Sequence, residues 1–126
     1  MIRQPIIDAC ERAVQALSLQ GKRSALPDGM CLYRNGNDKC AVGHIIDDDL
    51  NYGLFGGVAA EEVEQALNNT FRFQLTMDEI IFLSHFQTEC HDGLVDLEED
   101  FSTSVLKAWD NFKRSNASLI DRGTDE

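Results

Sequence analysis

A chain of 126 residues with 43% hydrophobic side chains and ten aromatics can build one domain with its own core, which excludes wholesale disorder. Its formal charge of −11 disfavours direct contact with DNA or an anionic membrane, and no apolar run approaches the roughly 18 residues of a membrane span. The first residues turn polar and charged by Asp8 without the apolar core of a signal peptide, so a soluble, cytoplasmic protein is expected.

Pro5 suits a first helical turn, where its missing N–H costs nothing, and Ile6, Ile7, Cys10, Val14 and Leu17 follow at helical spacing. The pattern predicts a helix over 5–20 with Gly21 as its stop. "GKRSALPDG" reads as a loop. Two short strands, 31–34 and 38–42, then flank Asn35-Gly36, the strongest short-range hairpin signal. If Asn35 and Gly36 form the loop, Cys31 faces Cys40. If the loop runs from Asn35 to Asp38, Tyr33 faces Cys40 and Cys31 lies diagonal to it on the same face. "HIIDDDL" is read as a short helical turn or loop, and the glycine-rich "NYGLFGG" as irregular.

A second helix is predicted over 58–68, with Val58, Ala59, Val63, Ala66 and Leu67 inward and Glu61, Glu62 and Glu64 outward. Thr76 and Glu79 have the spacing of a capping box, in which each side chain serves the other's backbone amide. That box opens an apolar helix from Met77 to His91, read as the central helix and ended by Asp92-Gly93. Phe101, Val105, Trp109 and Phe112 mark a last helix over 97–114. Residues 1–114 therefore read as a single domain and 115–126 as a polar, flexible tail. About four helices with one small antiparallel β-hairpin give an α+β class, mostly helical.

Two constellations could carry chemistry. Zinc takes four ligands, usually Cys and His, and Cys31, Cys40, His44 and His91 are the candidates if the end of the central helix meets the hairpin. The spacing lacks a C-x-x-C knuckle, so the leading expectation is no cofactor, with the cysteines as small core hydrophobes and zinc as the alternative. His91-Asp92 resembles the dipeptide of HD-type phosphohydrolases, but three histidines are too few for the remaining ligands of such a centre. Nothing matches a phosphate loop or a calcium loop.

The other constellation is acidic. Between residues 40 and 106 there are fourteen acids and one base, Arg72. Asp47, Asp48 and Asp49, then Glu61, Glu62 and Glu64, then Glu98 to Asp100, form clusters that could meet a basic surface on a partner.

Taken in order, "QGKRS", "CLYR", "KCAVGHIIDDD" and "FQTECHDG" resemble a group of small proteins encoded by tailed bacteriophages and prophages. The matching positions are Gly21 to Ser24, Cys31, Tyr33, Arg34, Lys39 to Gly43, Ile45, Ile46, Asp47, His91 and Asp92. They span about residues 20–93, with Lys-Cys-Ala-Val-Gly the specific part; the last helix carries no signature of the group. The group has no assigned activity. By analogy, the resemblance implies a non-enzymatic protein of the host cytoplasm that binds and inhibits or modulates a host protein of transcription, replication or defence. Asp47, Asp48, Asp49, Glu61, Glu62 and Glu64 are the expected partner-binding residues, and no direct nucleic-acid or membrane binding is expected.

Overall fold

A computed structural model describes residues 2–24, 33–47, 50, 57–94 and 98–120. Helix α1, Gln4–Gln20, begins with Pro5 in its first turn and ends where Gly21 adopts a left-handed φ of 77°, letting its N–H donate to the Leu17 carbonyl. Its inward stripe is Ile6, Ile7, Ala9, Cys10, Ala13, Val14 and Leu17. That stripe lies against α4, Phe101–Ser115, whose own inward face is Val105, Trp109 and Phe112. The Trp109 indole N–H donates to Glu11 at 3.0 Å, so the ring is buried without stranding its donor.

Helix α3, Met77–Gln87, completes the layer. Phe86 meets Trp109 edge-on at 5.4 Å between ring centroids, and Phe82 meets Phe112 at 5.0 Å. Its capping box is formed as expected: Thr76 Oγ1 accepts from the Glu79 amide, and Glu79 Oε1 accepts from the Thr76 amide. The inward set is Ile80, Phe82, Leu83 and Phe86, while Met77 and Ile81 face outward and stay exposed. The chain is thus an α+β domain, mostly helical.

Helix α2, Glu61–Phe71, starts three residues later than the periodicity predicts. Val58 is buried, but it belongs to a turn closed by the Ala60 N–H on the Gly57 carbonyl, and Ala59 is exposed. The α2 cap, Ala60, offers no side-chain acceptor, and Glu61, Glu62 and Glu64 in the first turn complement the helix dipole instead.

The hairpin is smaller than expected: β1, Arg34–Asn35, pairs antiparallel with β2, Asp38–Lys39. The register pairs Asn35 with Asp38, so Gly36 and Asn37 form the loop and Tyr33 faces Cys40, its carbonyl accepting from the Cys40 amide at 3.2 Å. Asn35 and Gly36 are therefore not the loop. Gly36 supplies the left-handed φ of 64° at the first loop position, which is the glycine-first way of turning a hairpin. Beyond Lys39 the backbone leaves the ladder and turns through residues 41–45. Gly43 lies so close to β1 that a Cβ there would come within 2.1 Å of the Tyr33 carbonyl oxygen. The outer edge of β2 is covered by one side chain: the Gln20 amide accepts from the Lys39 N–H at 2.9 Å and donates to the Lys39 carbonyl at 3.0 Å.

Residues 116–120, read from the sequence as tail, turn back after α4. The Ile2 amide donates to the Leu119 carbonyl at 2.7 Å, and Ile2 forms a parallel bridge with Ile120.

Candidate functional site

The end of α3 widens. From Thr88 to Asp92 the backbone is π-helical, closed by the Gly93 N–H on the Thr88 carbonyl at 2.7 Å. Such turns are rare and concentrate at functional positions. The sequence signals the stop at Asp92-Gly93 but not the change of helix type before it.

His91 in this turn is fully buried, and both ring nitrogens are engaged. Nε2 lies 2.9 Å from the Ser24 backbone N–H. An amide N–H only donates, so Nε2 accepts and the ring proton sits on Nδ1, 2.7 Å from Asp92 Oδ1. A ring held in this way has no nitrogen to offer a metal or a substrate proton. Gln87 extends the network: its Oε1 accepts from the Val42 N–H at 2.8 Å and its Nε2 donates to Asp92 Oδ1 at 2.7 Å. Asp92 Oδ1 thus receives two donors, and the network joins the 22–24 segment, the turn after the hairpin and the end of α3.

In front of Asp92 lies a recess of about 150 Å³, lined by Tyr33, Cys40, Val58, Ser84, Thr88 and Asp92 among others. Tyr33, Cys40 and Val58 are buried, whereas the Asp92 side chain keeps 36% of its exposure. Burial, reinforced by the neighbouring Cys40 and Asp92, holds the Tyr33 phenol well above its ordinary value. Burial likewise pushes the Cys40 thiol up to about 12, although the Gly43 N–H opposes the shift. Both groups stay protonated at neutral pH, so neither is a ready nucleophile.

The remaining sequence candidates fall elsewhere. His44 Nε2 pairs with Gln20 Oε1 at 2.8 Å, and Cys31 lies outside the described residues. Among the described residues, no group of three or more His, Cys, Asp or Glu side chains could hold a metal ion. Among the described residues, Cys10 and Cys90 are free thiols buried in the core, and burial is the first cause disfavouring the ionisation of each.

Of the acidic residues, Glu61 and Glu62 are exposed and Glu64 half-buried at the start of α2. Asp47 is exposed at the other end, its amide donating to Thr70 Oγ1 at 3.1 Å. Along α2 about 9–14 Å of helix lies between the three glutamates and Thr70, where Asp47 is held. Asp48 and Asp49 lie outside the described residues. Glu61 and Glu64 instead line an open polar groove with Gln65, Asn68, Asn69 and Gln74.

Sequence reasoning missed Ser84, Gln87 and Thr88, polar residues on a helix read mainly by its apolar side chains. No protein-family model, no curated protein and no solved structure matches the chain. Among the described residues no helix is long and apolar enough to cross a membrane.

Proposed function

We propose that this chain is a non-enzymatic phage or prophage protein that captures a host protein through the acidic face at the start of α2, inhibiting or modulating it. The observation that carries the reading is the carboxylate set at the start of α2, Glu61 and Glu62 exposed and Glu64 half-buried: among the described residues none of the three is paired with a cation. Carboxylates held on a rigid helix complement a basic surface and speed encounter with it. The phage origin rests on the motif resemblance, and the host component is a protein of transcription, replication or defence. The engagement of His91 and Asp92 in internal hydrogen bonds favours binding over hydrolysis.

The test is affinity capture from bacterial host lysate at low and high salt, with the wild-type chain and an E61K/E62K/E64K variant. A partner retained at low salt, released at high salt and lost in the variant is the expected result. Capture unchanged by the three reversals overturns the acidic-face reading.

A further inference from the structure

We infer that the outward face of α3 docks a basic amphipathic helix of the protein that the acidic face captures, with Met77 and Ile81 as the apolar contact. The identity of the occupant rests on the reading above; the contact surface rests on α3 itself. Met77 and Ile81 are 71% and 48% exposed. Four residues apart, they lie about 40° from each other around the helix and form one ridge. Among the described residues no other helix carries two exposed large hydrophobic side chains, so the pair is a patch and not scatter. Helix propensity does not account for it, because Ile81 is β-branched and an exposed helix position is better filled by alanine, lysine or glutamate.

The rim sets the charge of the occupant. On one side of Ile81 stands Asp78, exposed, and Glu89 is exposed beyond it in the π turn, with His85 between them. Among the described residues neither carboxylate is paired with a cation. On the other side Ser84 shares its recess with Gly57 and Val58, which lead into the first turn of α2 and its three glutamates. The face is thus apolar at its centre and acidic around it, as an interface core is bordered by its rim, in a stretch from 40 to 106 whose one base is Arg72. Lysines and arginines beside an apolar stripe complement such a face. A second copy of this chain does not, because it brings another −11 to the same place. A ridge of side chains four residues apart fits the groove of a second helix at about 8–10 Å between axes. The 11 residues of α3 run about 16 Å, matching about three turns of the partner.

The test is fluorescence anisotropy of a labelled leucine–lysine peptide patterned as a basic amphipathic helix, titrated with the full chain, beside an oligolysine of equal charge. The leucine–lysine peptide should bind saturably and about tenfold or more tighter than the oligolysine. Met77→Ser/Ile81→Ser removes the apolar contact while leaving charge and core alone, and should weaken that binding about tenfold or more. Leu19→Ser/Leu106→Ser should leave it unchanged. Ile81→Lys sets a cation in the centre of the face and should also weaken binding; it decides the matter if the double serine variant loses native Trp109 fluorescence. Equal affinity for the two peptides, or equal affinity in wild type and the Met77 and Ile81 variants, overturns the docking face. So does a dimer in sedimentation that the double serine variant abolishes, because a second copy then covers the ridge. The peptide titration needs no host partner, so the two proposals fail separately. Host capture lost in E61K/E62K/E64K but kept in M77S/I81S overturns the α3 face alone. Peptide binding that depends on Met77 and Ile81 beside glutamate-independent capture overturns the acidic face alone.

Discussion

Glu79 and Asp92 stand at opposite ends of the same helical segment, each facing a basic side chain, yet the protein finishes them differently. Glu79 is fully buried, with Arg3 Nη2 2.6 Å from Oε1, Arg3 Nε 2.9 Å from Oε2, and the Thr76 amide on Oε1 as well. Arg3 is itself pinned over the Phe73 ring at 4.0 Å and donates to the Gln74 carbonyl. Burial alone would raise the Glu79 carboxyl, but the hydrogen bonds from Arg3 and Thr76 hold it down to about 2. At the other end the basic partner, His91, is the buried member and the carboxylate is partly exposed. The two arrangements use similar parts for different purposes. One closes a charge into the structure; the other uses a partly exposed carboxylate to fix a buried ring.

If that contrast is right, Glu79→Ala should be the most damaging single change at either end. It removes the capping box and leaves Arg3 without its carboxylate, and we expect a loss of about 3 kcal/mol in urea denaturation. His91→Ala should cost about 2–3 kcal/mol, from the void and the stranded Ser24 amide, while Asp92 stays hydrated. A cost for His91→Ala well above that of Glu79→Ala would break the comparison. The pH dependence sharpens it. Because the folded Glu79 carboxyl lies below its ordinary value of 4.5, the unfolded chain binds the extra proton first. Its contribution is present above about pH 4.5 and fades as pH falls toward 2. Thermal melts across that window should show a steep loss in wild type and a shallower one in Glu79→Gln. The smallest effect, about 1 kcal/mol, is expected for Thr76→Ala, which loses the cap but keeps the Arg3 pair.

Elements marked by local signals are read reliably. Pro5 and Gly21 bracket α1, and the capping box opens α3, because each acts within a few residues of itself. The start of α2 was misplaced because Val58 and Ala59 continue the apolar pattern although the chain there is a turn, and its end is a left-handed Arg72 that no glycine marks. Asn35-Gly36 correctly signals a hairpin, and of the two registers the structure takes the one that sets Tyr33 opposite Cys40, with the glycine first in the loop. At the candidate site the dipeptide His91-Asp92 stood out, whereas its partners did not. Ser24 contributes a backbone N–H from 67 residues away, and any residue but proline carries that group. Arg3 meets Glu79 across 76 residues, a pairing that only the tertiary fold decides.

The π turn also has a consequence for how this segment tolerates change. A turn of this kind is what an α-helix looks like after gaining one residue while both flanks keep their places. Thr88 and Glu89 are exposed and touch little of the core, so side-chain replacement there should be mild. Deleting either one should likewise be mild, because the segment can return to an ordinary α-helical turn while His91 and Asp92 keep their phase relative to Phe86. The turn is a place where the chain can take up a change of length while the core and the carboxylate stay in step.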